Sequence, residues 1–133
     1  MIRIAALVLV ALLALPAAAD PLQDIAAGHE ALQAGDSSSA ARHWEAAAIA
    51  DVQEAYHLLV TLYESGPDPS PDLAFMWAWI GQARTWDPAL TKRASQDFDR
   101  LQDRIRRDVR QDGIDMAEKW LKAHPRPVPT QGQ

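Results

Sequence analysis

Apolar residues recur at intervals of three and four positions from residue 20 to residue 123, and alternating runs of β-branched and aromatic residues are missing. This spacing places apolar side chains along one face of an α-helix, whereas strands require strict alternation. The pattern predicts an all-α fold of six helices, at about 22–34, 38–50, 53–65, 71–84, 88–105 and 108–123.

Glycine, proline and aspartate mark the predicted helix ends. Gly35 and Gly66 follow the first and third helices, and Asp36 stands at the position of a capping residue before the second. The stretch "GPDPSP" after the third helix excludes helix continuation, because proline lacks an N–H donor and its ring clashes with the preceding turn. Pro71 is well placed in the first turn of the fourth helix.

The two ends of the chain differ from the helical part. Arg3 precedes an unbroken apolar run over residues 4–15, which Pro16 ends, and small residues lead to Ala19. This order predicts a signal peptide at 1–19 that is cut after Ala19. A bilayer span needs ~20 apolar residues, so an uncleaved anchor is disfavoured. Residues 124–133 are polar and proline-rich and are predicted to be disordered.

Composition narrows the class further. The chain has 133 residues and no cysteine, which excludes disulfides and thiolate metal sites. Residues 20–123 therefore form one domain that packing alone must stabilise. Arginine outnumbers lysine and asparagine is missing, which is typical of a bacterial protein from a GC-rich genome. With the signal peptide, the expected location is the periplasm or the medium, without stable membrane insertion after cleavage.

The central helices contain a repeated pattern. Asp36 and Asp72 are 36 residues apart, as are Ala47 and Ala83, and two short helices per ~36 residues is the length of a helix-turn-helix repeat. The segment "AYHLLVTLYESG" followed by "PDLAFMWAWIGQA" resembles the Sel-one-like repeat, a branch of the tetratricopeptide-like superfamily. The residues that match the repeat are Asp36, Ala40, Ala47, Ala55, Leu59, Tyr63, Gly66, Asp72, Trp79 and Ala83.

The resemblance covers about residues 36–84 and implies a short right-handed solenoid of helical hairpins that holds protein partners without chemistry of its own. Val60 stands where the family usually has a glycine, and Arg84 replaces a small residue after Ala83. In this family, alanines allow helices to cross closely, and Trp79 and Tyr63 fill the wider side of each hairpin. The departures at Val60 and Arg84 concern the number of repeats rather than the fold.

Catalytic and metal sites have little support in the sequence. Glu54 and His57 have the Glu-x-x-His spacing that supplies two metal ligands from one helix face in di-iron bundles. Such sites need further glutamates and a second copy of this spacing, and the chain has only one copy. His29 and His43 lie on other predicted helices. The motifs His-x3-His and Gly-x-Ser-x-Gly and a phosphate-binding glycine loop are missing from the sequence. Serines are available in "DSSSA", but nothing nearby resembles an oriented base. We therefore expect no enzyme, no metal and no cofactor.

Trp77 and Trp79 are about 200° apart around the fourth helix and must face nearly opposite directions. The repeat accounts for Trp79 as a packing residue. Trp77 has two interpretations: it lies in the core, or it is an exposed anchor for a partner, because tryptophan is frequent in binding hot spots. Trp86 follows the same helix and is a further candidate anchor.

Charge is unevenly distributed along the chain. Ten acidic residues and one basic residue lie between Asp20 and Ile80, whereas eight acidic and eleven basic residues follow. The segment "DRIRRDVR" concentrates arginines, among them Arg104 and Arg107. It is either a solvated helix face or a surface for an acidic partner, a membrane or a cell-wall polymer. The acidic balance of the chain disfavours nucleic acid.

The function that these observations favour is an exported adaptor or accessory subunit. Its candidate partner-binding residues are Trp77, Trp86, Arg104 and Arg107. The alternative is a helical bundle that binds a small ligand or lipid, or that acts as a periplasmic inhibitor or chaperone. A ligand-binding bundle requires a closed apolar cavity, whereas an adaptor requires an open groove with exposed aromatic side chains.

Overall fold

A computed structural model describes residues 20–126. Within this range the chain forms six α-helices and no strand: α1 (Pro21–Gln33), α2 (Ser37–Ile49), α3 (Glu54–Ser65), α4 (Pro71–Arg84), α5 (Pro88–Arg104) and α6 (Arg107–Ala123). The prediction of an all-α fold is confirmed, and every helix begins and ends within about one residue of its predicted range. The predicted signal peptide and residues 127–133 of the predicted tail lie outside the described residues.

Aspartate side chains begin three of the helices. Asp20, Asp36 and Asp87 accept hydrogen bonds from backbone N–H groups in the first turns of α1, α2 and α5, at 3.0, 3.0 and 2.9 Å. Each carboxylate satisfies a donor that has no partner within the helix. Hydrogen bonds from Ser39, first from its hydroxyl and then from its backbone N–H, lower the pKa of Asp36. The predicted capping role of Asp36 is therefore confirmed.

Helix α4 is the centre of the fold. Helices α1 to α4 pack in chain order, and α4 is then covered by α5 and by α6 as well as by α3. Six consecutive or nearly consecutive residues of α4 are buried: Ala74, Phe75, Met76, Trp77, Ala78 and Ile80. A helix that is apolar almost all round is buried on several sides, which explains why α4 accepts three neighbours.

Helices α5 and α6 both pack on α4, α5 also contacts α3, and α5 and α6 make little contact with each other. They differ in this from α1 and α2, and from α3 and α4, which pack as hairpins. Each of the last two helices has its own contact with α4, so a strip of α4 remains between them. This strip is where the candidate site lies.

Glycines allow the closest helix contacts around α4. A Cβ atom on Gly81 would lie 3.2 Å from Cβ of Tyr56, so this glycine permits the crossing of α3 and α4. A Cβ atom on Gly113 would lie 2.8 Å from the backbone oxygen of Asp72, so α6 approaches the first turn of α4. The crossing role that the repeat resemblance implied for Ala83 is wrong, because Ala83 is exposed and Gly81 occupies the crossing.

Arg84 fastens the end of α6 to α4. Its side chain is buried, and its guanidinium donates to the backbone oxygens of Leu121 and His124 while it lies 5.3 Å from the ring centre of Trp120. These carbonyls belong to the last turn and the cap of α6, which have no partners within the helix. Arg84, which departs from the repeat pattern, thus lies on α4 and caps the C-terminal end of α6.

Candidate partner-binding groove

Trp77 lies in the core. Only 3% of its surface is exposed, and its ring meets Trp120 of α6 edge-on with 5.2 Å between the ring centroids. The interpretation of Trp77 as an exposed anchor is therefore wrong, and the core interpretation is correct. The physical reason is that α6 covers this side of α4.

Trp79 lies on the opposite, partly exposed side of α4 and belongs to an aromatic cluster. Its ring centroid is 6.5 Å from that of Phe75 and 5.8 Å from that of Phe98, and the two phenylalanines are 5.6 Å apart. Distances of this size are typical of favourable aromatic pairs. The cluster joins α4 to α5, and it leaves aromatic surface accessible to solvent.

The aromatic cluster forms the floor of an open depression between α5 and α6, which we call the α5–α6 groove. It consists of two cavities of about 190 and 250 Å³ that share Trp79 and Phe98; the first is lined by α4, α5 and α6, and the second by α4 and α5 alone. The residues that line it are Phe75, Trp79, Gln82, Ala83, Phe98, Gln102, Arg107, Arg110, Gln111 and Ile114. The groove combines an aromatic floor with amide and guanidinium side chains.

The two arginines of the groove have different surroundings. Arg110 donates from Nη1 to the backbone oxygen of Gln102, which ties α6 to the last turns of α5. Arg107 is exposed and forms no hydrogen bond or ion pair with any residue between 20 and 126. Arg106 pairs instead with Asp108 at 2.7 Å. Arg107 therefore carries a charge that the described part of the chain leaves unneutralised.

A polar network holds α5, and with it one wall of the groove, against α3. Asp97 is 3% exposed and lies 2.5 Å from Nδ1 of His57 and 2.9 Å from Nη2 of Arg100. Arg100 also forms a two-pronged pair with Glu64, and this pair raises the pKa of Arg100. Phe98 is the next residue along α5, about 100° around the helix, so the network directs Phe98 towards α4.

His57, which the sequence places one turn from Glu54, takes part in this network. His57 faces Asp97 and not Glu54, and His43 lies 3.0 Å from Asp24. No group of three or more metal-binding side chains comes together within residues 20–126. His43 and His57 thus each contact an aspartate of another helix.

The other two candidate residues lie outside the groove. Trp86 is 66% exposed in the turn between α4 and α5, where its backbone N–H donates to Oε1 of Gln53 at 2.9 Å. Arg104 is exposed in the last turn of α5 and does not line the groove. Of the four predicted partner-binding residues, the structure therefore brings only Arg107 together with an accessible tryptophan, and that tryptophan is Trp79.

Sequence reasoning did not single out Phe98 or assign a surface to Trp79. Phe98 is a lone aromatic residue on an amphipathic helix, and such a residue is usually a core contact. Its neighbour Asp97 gives no usable signal, because a carboxylate on an amphipathic helix is normally solvated, whereas Asp97 is buried. The partner of Asp97 is 40 residues away in the chain.

Enclosed space at the junction of α3, α4 and α5 is small. The cavity beside His57 and Asp97 has a volume of about 10 Å³, which holds about one water molecule. Small-molecule sites usually measure ~300–1,000 Å³. This junction therefore gives no room for a ligand within the core.

No protein-family model, curated protein or solved structure matches this chain. The resemblance to the Sel-one-like repeat thus rests on the residues of α2, α3 and α4 quoted above. None of the helices between residues 20 and 126 has the length and apolar character of a membrane span.

Proposed function

We propose that this chain is an exported, non-enzymatic interaction module that binds a segment of a partner protein in the α5–α6 groove. The observation that carries this proposal is the accessible aromatic floor formed by Trp79 and Phe98 in an open groove. Aromatic side chains with arginine nearby are the residues that dominate binding energy at protein interfaces.

The geometry of α5 and α6 supports a protein segment as the ligand. Both helices rest on α4 and leave the strip with Trp79 open to solvent. Each 100 Å² of apolar surface that a partner covers there contributes about 2.5 kcal/mol of desolvation free energy, from which the entropic cost of association is subtracted. A helix or an extended segment laid between two helices is a common mode of peptide recognition.

The scaffold that we propose is a short, right-handed, Sel-one-like solenoid. The motif residues in α3 and α4 and the hairpin packing of α1 on α2 and of α3 on α4 support it. Helices α5 and α6 depart from this order, because they share α4 as their packing partner. The site therefore lies where the repeat pattern ends, and not on a regular repeat surface.

A small-ligand or lipid-binding bundle is the competing proposal. It is disfavoured by shape, since both parts of the groove, and the apolar cavity of about 270 Å³ beside Trp44 and Leu58, are open to solvent. Small-molecule pockets bury most of their ligand. A partner segment does not need this enclosure.

The test compares two tryptophan variants in affinity purification from the envelope fraction. Trp79→Ala removes the floor of the groove, whereas Trp86→Ala removes an exposed tryptophan outside it. We expect the wild type and Trp86→Ala to co-purify the same partner in constant proportion. Trp79→Ala is expected to lose this partner. Helical circular dichroism of both variants verifies folding. A partner retained equally by Trp79→Ala, or no partner at all, would contradict the proposal.

A further inference from the structure

We propose that the α5–α6 groove selects an acidic partner segment, in which a large apolar side chain covers Trp79 and a nearby carboxylate binds Arg107. This inference rests on the proposed function and specifies the chemistry of the partner. It depends on the charges that line the groove and on which of them already have partners.

The composition of the groove lining differs from that of the chain. The chain has 18 acidic and 13 basic residues. The groove is lined by two arginines, by three glutamines and otherwise by apolar residues, and no carboxylate is among the lining residues. The side chains that line the groove therefore carry a net positive charge. Such a charge favours a ligand of opposite charge.

Only one of the two arginines is free to bind a carboxylate fully. Arg110 already donates to the Gln102 backbone oxygen. Asp108, the nearest acidic residue in the chain, pairs with Arg106. Arg107 therefore retains all five of its N–H donors for a ligand as far as residues 20–126 are concerned. A guanidinium binds a carboxylate through two parallel hydrogen bonds.

The shape of the groove favours a peptide over an anionic membrane. Trp79 and Phe98 form a floor between two helices, and a flat bilayer surface contacts the helix ridges before it reaches a floor of this kind. A narrow segment can place one apolar side chain on the floor and one carboxylate at Arg107.

The experiment uses a phage-displayed library of random octapeptides, selected on the chain that begins at Asp20. Parallel selections use Arg107→Gln and its matched control Arg104→Gln, an exposed arginine that does not line the groove. We expect wild type and Arg104→Gln to enrich peptides that combine a large apolar residue with Asp or Glu. Arg107→Gln is expected to lose the acidic enrichment and to keep the apolar one.

Affinities of one selected peptide and of its Glu→Gln counterpart give the quantitative result. The acidic form is expected to bind the wild type about tenfold more tightly, and Arg107→Gln is expected to remove most of this difference. Raised salt weakens only the acidic form. Equal binding of the two forms, with binding still lost in Trp79→Ala, overturns the charge selection and leaves the proposed function intact.

Two further outcomes also overturn the inference. If no peptide is enriched relative to Trp79→Ala, the groove does not bind short segments, and the envelope purification then decides the proposed function separately. If sedimentation velocity shows a dimer that Arg107→Gln dissociates and Arg104→Gln does not, the occupant of the groove is a second copy of this chain.

Discussion

Replacement of Trp77 by alanine measures how far the core depends on α4. Trp77 is 3% exposed and stacks edge-on against Trp120, so its removal leaves a cavity between α4 and α6. Buried Trp→Ala changes cost about 3–5 kcal/mol, and the better helix propensity of alanine returns about 0.5 kcal/mol. Each kcal/mol lowers the Tm of a domain of this size by about 4–8 °C. We therefore expect a Tm lower by roughly 10–30 °C.

Thermal and urea unfolding, followed by circular dichroism, are the assay. The matched control is Trp79→Ala, the same change two residues along the same helix, where the side chain is partly exposed and less apolar area is lost. Its expected cost is about 1–2 kcal/mol. If the two variants lose equal stability, or if Trp77→Ala unfolds within about 1 kcal/mol of the wild type, the division of α4 into a core side and a groove side is refuted.

The remaining predictions concern α6 and the buried tyrosine. Gly113→Ala is expected to destabilise the domain by about 1–2 kcal/mol, because overpacking against Asp72 exceeds the gain in helix propensity. The control Asp112→Ala, on the exposed side of α6, is expected to leave stability unchanged. Urea unfolding distinguishes the two variants. Burial raises the pKa of Tyr56. The contribution of the neutral Tyr56 side chain to the free energy of unfolding is therefore complete below the ordinary tyrosine pKa of about 10, and it is lost as the pH rises above that value. Unfolding curves should show a smaller loss of stability at alkaline pH for Tyr56→Phe than for the wild type. If Tyr56 shows tyrosinate absorbance in the folded protein near pH 10, its pKa is not raised and the prediction is contradicted.

The helices could be predicted from the sequence because their signals are local. Asp36 and Asp87 cap the helices that follow them, and Pro71 begins α4 after a segment that cannot be helical. Each signal acts within one turn, and no distant contact is needed to interpret it. The fold class follows from the same local information.

The faces of α4 could not be predicted in this way. A helix with a polar side shows which side is solvated, but α4 has almost none, so periodicity does not distinguish Trp77 from Trp79. Which of them is accessible depends on where α5 and α6 dock. That is decided by long-range contacts such as Trp120 on Trp77 and Phe98 on Trp79.

The partners of buried polar residues are unpredictable for the same reason. The pair of His57 and Asp97 joins helices 40 residues apart, and Arg84 binds carbonyls of α6 at a similar separation. In the sequence, His57 was considered with Glu54, its neighbour one turn away. Spacing along a helix reveals candidates on one face, but it does not reveal what another helix brings to that face.

Because α5 and α6 rest on α4 separately, we expect α5 to open locally at a lower free energy than global unfolding requires. Helix α5 fully buries only Asp97 and Leu101, so its release is expected to expose less apolar surface than release of α4, whose buried residues are far more numerous. Amide hydrogen exchange in α5 is therefore expected to be faster than in α4, whose residues exchange only when the core unfolds. If α5 opens in this way, a bound segment that touches both walls of the groove is expected to slow amide exchange along the whole of α5, including residues that it does not contact.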